Sequence, residues 1–147
     1  MREKILSIFE NFKIISGGEG IKYESFFGAT SKVLPGVEKK EIIEEVHSME
    51  NDGLVKDGDI SIFLTDKGEE AIYGVFDINK GINEIIYIFK NFGSPIKDGI
   101  PFKTFEHIKK DKLSALTKKH CEEIMKECID KGYIEEIPNG YMLKQQF

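Results

Sequence analysis

Tryptophan is missing from this 147-residue chain, and arginine occurs once, at Arg2. One guanidinium leaves almost no capacity for bidentate reading of base edges, so any nucleic-acid contact must come from lysine point charges. Cysteine is confined to Cys121 and Cys128. Two thiols are too few for a disulfide scaffold and fit a reducing cytoplasm. No apolar run reaches the roughly 18 residues of a membrane-spanning helix, so no membrane partner is expected. Met1-Arg2-Glu3-Lys4 leads straight into an amphipathic pattern, and Glu3 and Glu10 break any signal-peptide core.

Catalytic patterns are missing too. There is no Gly-x-Ser-x-Gly, and Gly17-Gly18-Glu19-Gly20 has no following Lys-Ser/Thr to cradle a phosphate. His47 and His107 have no partner at metal-ligand spacing, and His120 projects about 100° away from its neighbour Cys121 on a helix. The carboxylates fall on exposed helical faces. No enzyme activity, cofactor or metal is expected.

What is present suits a folded protein. Apolar residues make up 40%, aromatics 11% and charged residues 32%, enough to fill a core. The net charge of −5 argues against nucleic-acid binding by the whole surface.

The chain repeats itself. Ile5-Leu6-Ser7-Ile8-Phe9-Glu10-Asn11-Phe12 recurs as Ile85-Ile86-Tyr87-Ile88-Phe89-Lys90-Asn91-Phe92, 80 residues on. At an offset of 79, Gly20 to Phe26 match Gly99 to Phe105. The same 79 carries Ile42, Val46 and Met49 onto Cys121, Met125 and Cys128, and Gly53-Leu54-Val55 onto Gly132-Tyr133-Ile134. Two tandem domains follow, 1–76 and 80–147, with a linker about 77–80.

Each copy has the same predicted order. Apolar spacing places helices at 3–12, 24–31 and 38–52 in the first copy, and at 82–92, 102–110 and 117–131 in the second. Ile21-Lys22-Tyr23 reads as a short strand. Gly53 suits the position just past a helix end. Hairpins follow at 54–64, turning through Lys56-Asp57-Gly58-Asp59, and at 133–143, turning at Asn139-Gly140. The expected class is α+β, mostly helical.

Helix, short strand, helix, helix, hairpin resembles a winged helix. Met49-Glu50-Asn51-Asp52-Gly53-Leu54-Val55 resembles the junction of helix end, glycine and apolar strand in winged-helix regulators of the multiple-antibiotic-resistance and phenolic-acid-repressor types. Cys128-Ile129-Asp130-Lys131-Gly132-Tyr133-Ile134 is similar. Leu64-Thr65-Asp66-Lys67-Gly68 looks like the wing exit of those families, where Thr65 or Asp66 caps the next helix. The second copy departs from the pattern, since Lys144-Gln145-Gln146-Phe147 stand where a fourth helix would begin. The resemblance implies two tandem winged helices, whose third helix enters the major groove of DNA while the wing touches backbone.

Charge divides the copies. Residues 38–52 carry two lysines against six carboxylates, and Lys56-Asp57-Gly58-Asp59 is also acidic. That face would repel phosphate, so Glu41, Glu44 and Glu45 are candidates for contact with a protein partner or a second copy. Residues 103–119 carry six lysines against two carboxylates. Lys103, Lys109, Lys110, Lys112, Lys118 and Lys119 are therefore candidate contacts to duplex DNA. The alternative for these lysines is a solvated turn that keeps the protein soluble. Helix 117–131 is balanced, four against four, which favours phosphate contact over base reading. The expected function is a small DNA-binding transcriptional regulator, with a non-catalytic protein-interaction module as the alternative. The thiols and the aromatics Phe9, Phe12, Phe26, Phe27, Phe89, Phe92, Phe102 and Phe105 are read as core, not as a redox pair or a base-stacking platform.

Overall fold

The computed structural model describes residues 1–91 and 99–144. It is an α+β, mostly helical protein with two small three-stranded antiparallel sheets. The chain divides into two compact units, Met1–Val75 and from Phe76 onward. The stretch read as a linker at 77–80 is the start of a helix, residues 78–80 being its first turn and Asp77 its cap. Asp77 caps it by accepting the Asn79 backbone N–H at 2.9 Å, and the helix runs from Ile78. Capping by Asp satisfies a backbone donor that apolar periodicity alone does not reveal.

The first unit comprises α1 (Arg2–Asn11), β1 (Ile21–Lys22), α2 (Tyr23–Val33), α3 (Lys39–Asn51), β2 (Val55–Asp57), β3 (Ser61–Leu64) and α4 (Asp66–Tyr73). The second comprises α5 (Ile78–Lys90), β4 (Ile100–Pro101), α6 (Phe102–Lys112), α7 (Ala115–Lys119), α8 (Cys121–Asp130), β5 (Ile134–Ile137) and β6 (Gly140–Leu143). The sheets have orders β1-β3-β2 and β4-β6-β5.

The repeat holds down to single cross-strand pairs. Ile21 faces Ile62 and Val55 faces Leu64 in the first sheet. Ile100 faces Tyr141 and Ile134 faces Leu143 in the second, each shifted by 79. Both third helices end alike. The Gly53 N–H bonds to the Glu50 carbonyl and the Leu54 N–H to the Met49 carbonyl, both at 2.9 Å. The Gly132 and Tyr133 N–H groups do the same to Ile129 and Cys128. Gly53 and Gly132 have φ of 78° and 74°, the left-handed conformation that this helix end requires and that glycine adopts without strain.

Each unit closes its own core. Ile5, Ile8, Phe9, Phe26, Ile42, Val46, Met49, Val55, Ile62 and Leu64 are buried in the first. Ile85, Ile88, Phe89, Phe105, Cys121, Met125, Cys128, Ile134 and Leu143 are the buried counterparts of nine of them, and Tyr141, the counterpart of Ile62, is partly buried against the same core. Phe9 and Phe26 meet at 6.4 Å and 53°, and Phe89 and Phe105 at 5.8 Å and 52°, tilted geometries that aromatic quadrupoles favour. Of the aromatics assigned to the cores, Phe12 is exposed at 47% and Phe102 at 37%. Phe92 lies outside the described residues.

Three expectations are corrected. The second hairpin turns at Pro138-Asn139, and Gly140 belongs to β6. A Cβ there would lie 2.0 Å from the Ile100 carbonyl oxygen, so the glycine admits the crossing strand. The first hairpin resumes at Ser61, and Ile60 is left 74% exposed at its tip. The single helix expected at 117–131 is broken at His120, whose φ of −100° and ψ of 19° leave the helical region. Thr65 does cap α4, accepting the Gly68 N–H at 3.0 Å.

Candidate functional site

The start of α7 is held from outside the helix. The Glu84 carboxylate of α5 accepts the Ser114 N–H at 2.6 Å, the Ser114 hydroxyl at 2.9 Å and the Thr117 hydroxyl at 2.7 Å. The far end is set at His120, whose imidazole lies on the Phe76 ring with centroids 3.8 Å apart and planes 16° from parallel. Its Nδ1 is 3.4 Å from Glu123. Between these anchors α7 presents Lys118 and Lys119.

Those two lysines and Lys109 of α6 line one cleft of about 310 Å³, with His120, Glu122 and Glu123 completing its wall. Three of the six candidate lysines are thus brought together. Lys103 and Lys110 are exposed elsewhere on α6. Lys112 lines a separate hollow with Glu84, Tyr87, Ile88 and Asn91. Lys109, Lys110 and Lys112 also fall in the last turn of α6, where cations complement the helix dipole. The two glutamates lower the cleft's net positive charge, so its chemistry is that of a modest anion site.

A second cavity, of about 330 Å³, adjoins the first at Lys109 and Glu122, which line both. Its apolar lining comes from Phe105, Cys121, Met125, Ile129 and Tyr141, and Glu106, Lys109, Glu122 and Lys126 supply the charged remainder. Burial pushes the Cys121 thiol up, and Glu106 and Glu122 add to the effect while Lys109 opposes it. The Tyr141 hydroxyl is also raised, chiefly by burial. Cys128 is fully buried, and burial pushes its thiol up to about 11. Both thiols are free and hold the core positions of Ile42 and Met49.

In the first unit Glu41 and Glu44 are exposed on α3. Glu45 is not available to a partner in the way the sequence suggests. Arg2 donates to it at 2.9 Å, to Asp52 at 2.7 Å and to the Ser48 hydroxyl at 2.9 Å. The residues at 45, 48 and 52 share one helical face toward α1. The chain's one arginine therefore ties α1 to α3.

Glu84, Phe76 and Glu106 escaped the sequence reading. Glu106 had a signal, because the offset of 79 places it on Phe27. Among the described residues, no group of three or more His, Cys, Asp or Glu is placed to hold a metal, and no helix is long and apolar enough to cross a membrane. No protein-family model and no curated protein matches the chain.

Proposed function

We propose that the chain is a tandem winged-helix DNA-binding protein, a small transcriptional regulator of the cytoplasm that contacts duplex phosphates through its second repeat. The observation that carries this reading is the gathering of Lys109, Lys118 and Lys119 at one cleft, where the second helix gives way to the third. That is the part of the resembled fold that meets DNA. The common core of helix, short strand, helices and hairpin in the two units and their matched sheet registers support the winged-helix reading. With α8 opening on Glu122 and Glu123, binding rests on phosphate contact, and sequence preference is weak.

The test is fluorescence anisotropy with random-sequence duplex over a range of salt. Three phosphate contacts give a slope of log K against log salt of about −2.7. Lys109→Glu, Lys118→Glu and Lys119→Glu together remove binding, whereas Lys103→Glu with Lys110→Glu leaves most of it. Wild type without salt-dependent binding, or a triple variant that binds like wild type, defeats the reading.

A second role for the first repeat, contact with a protein partner or a second copy, is favoured by the exposed apolar residues beside its acidic face. Ile43 on α3 is 37% exposed and Ile60 at the wing tip 74%. Sedimentation of Ile43→Lys and Ile60→Lys variants tests self-association through this face: a dimer that persists in both rules it out.

A further inference from the structure

We infer that the second repeat binds a nucleoside phosphate, with the base in the mixed cavity beside Phe105, Met125 and Tyr141 and the phosphate in the adjoining lysine cleft. The inference shares its lysines with the DNA reading but does not need duplex binding. The repeat itself supplies the reference. In the first unit Phe27 packs against the core, 5.8 Å from both Tyr23 and Phe26, and Lys39 lies 5.0 Å above its ring. The counterparts 79 residues on are Glu106 for Phe27 and Lys118 for Lys39. Glu106 is exposed. Where the first unit packs an aromatic ring, the second has an open cavity of about 330 Å³, within the range of small-ligand sites, about 300–1,000 Å³.

The ligand follows from what surrounds the space. Phe105, Met125 and Tyr141 offer an apolar, aromatic lining for a flat ring. Lys118, which lost the ring that Lys39 keeps, lines the neighbouring cleft with Lys109 and Lys119. The cavities share Lys109 and Glu122, so ring and anion must be joined across a short polar spacer. Inorganic phosphate leaves the apolar lining wet, and an aromatic hydrocarbon ignores the lysines. An unsubstituted aromatic carboxylate such as benzoate satisfies both but offers no donor to Glu106 and Glu122. A nucleoside phosphate has the ring and the anion, and its ribose hydroxyls and exocyclic amine donate to those carboxylates.

The experiment is calorimetric titration of the full chain with adenosine monophosphate, adenosine, a single-stranded oligo-dA and random duplex. Saturable binding of the monophosphate is expected, at least 10-fold tighter than adenosine. Glu106→Phe, which returns the ring of the first repeat, weakens the monophosphate at least 10-fold and leaves duplex binding equal or slightly stronger, since a carboxylate near Lys109 is removed. Glu106→Leu, a smaller filler, does the same, and thermal melting confirms that both are folded. Lys118→Glu with Lys119→Glu weakens monophosphate and duplex alike. If the oligonucleotide binds more tightly per site than the monophosphate, the natural ligand is a nucleotide within a strand; if not, it is a free nucleotide. Absence of saturable monophosphate and oligonucleotide binding, or folded Glu106 variants that bind as wild type, overturns the inference. Loss of duplex binding alone overturns only the DNA reading.

Discussion

The Glu84 carboxylate accepts the Thr117 hydroxyl at 2.7 Å across 33 positions of sequence, and the same carboxylate holds both donors of Ser114. A carboxylate that accepts three hydrogen bonds at a helix start replaces the side-chain cap that Ser114 does not supply. Glu84→Ala is expected to cost about 1–3 kcal/mol and to weaken anion binding, because α7 carries Lys118 and Lys119. Glu84→Gln keeps the acceptor oxygen and recovers part of both losses. Urea denaturation and anisotropy on the same variants check this; an Ala variant with wild-type stability would remove the clamp from the account.

Arg2 bridges Glu45, Ser48 and Asp52 with three separate nitrogens. The adjacent carboxylates, Asp52 first, raise its guanidinium above its ordinary value. Lysine has one nitrogen and cannot span the three acceptors. Arg2→Lys and Arg2→Ala are both expected to melt below wild type, and the gap should narrow in high salt as the ion pairs are screened. Equal melting of wild type and Arg2→Lys would mean that charge alone suffices.

Two helical glycines should respond oppositely to alanine. A Cβ on Gly68 would lie 2.1 Å from the Leu54 carbonyl oxygen, backbone that cannot move without opening the sheet. Gly68→Ala is expected to cost about 1–3 kcal/mol. A Cβ on Gly81 would meet the Ile124 Cδ1 at 2.4 Å, the movable end of a side chain. The helix propensity gained by Gly81→Ala, about 0.8–1 kcal/mol, offsets an off-rotamer cost of about 0.5–1.5 kcal/mol. Denaturant midpoints should separate the two variants, and equal losses would contradict the distinction.

Alkaline pH should weaken the second repeat through Cys128. Its thiol is pushed up from 9.0 to about 11, chiefly by burial and further by Glu127. As pH rises, the unfolded chain gives up this proton first. The thiol's contribution is therefore complete below about pH 9 and lost as pH approaches 11. The stability difference between wild type and Cys128→Ala should shrink over that window, measured by urea unfolding. A constant difference would place the alkaline loss in other groups, such as Tyr73, which burial pushes up to about 12.

Patterns that recur along the chain were legible in the sequence, and contacts that cross it were not. The glycine-capped helix ends at Gly53 and Gly132 and the apolar helix faces follow from local spacing and a fixed offset. The Arg2–Glu45 pair spans 43 positions and the Glu84–Ser114 contact 30. Each joins two surface-type residues and leaves no periodic trace. The turn at Pro138-Asn139 was misplaced because Asn-Gly is a strong local turn signal, while the demand on Gly140 comes from a strand some 40 residues earlier. The break at His120 is of the same kind: it coincides with a stack on Phe76, 44 positions earlier. At the candidate site, lysine density marked the region, but only folding selects Lys109, Lys118 and Lys119 from among six.

The first core has consequences for how the chain is made. All of its buried residues and its whole sheet lie before Val75. A ribosome adding about 5–20 residues per second needs several seconds to complete the second repeat. Small mixed α/β domains fold in about milliseconds to seconds. The acidic repeat can therefore finish folding while the lysine-bearing one is still emerging, and nascent chains halted before the second repeat should already resist protease.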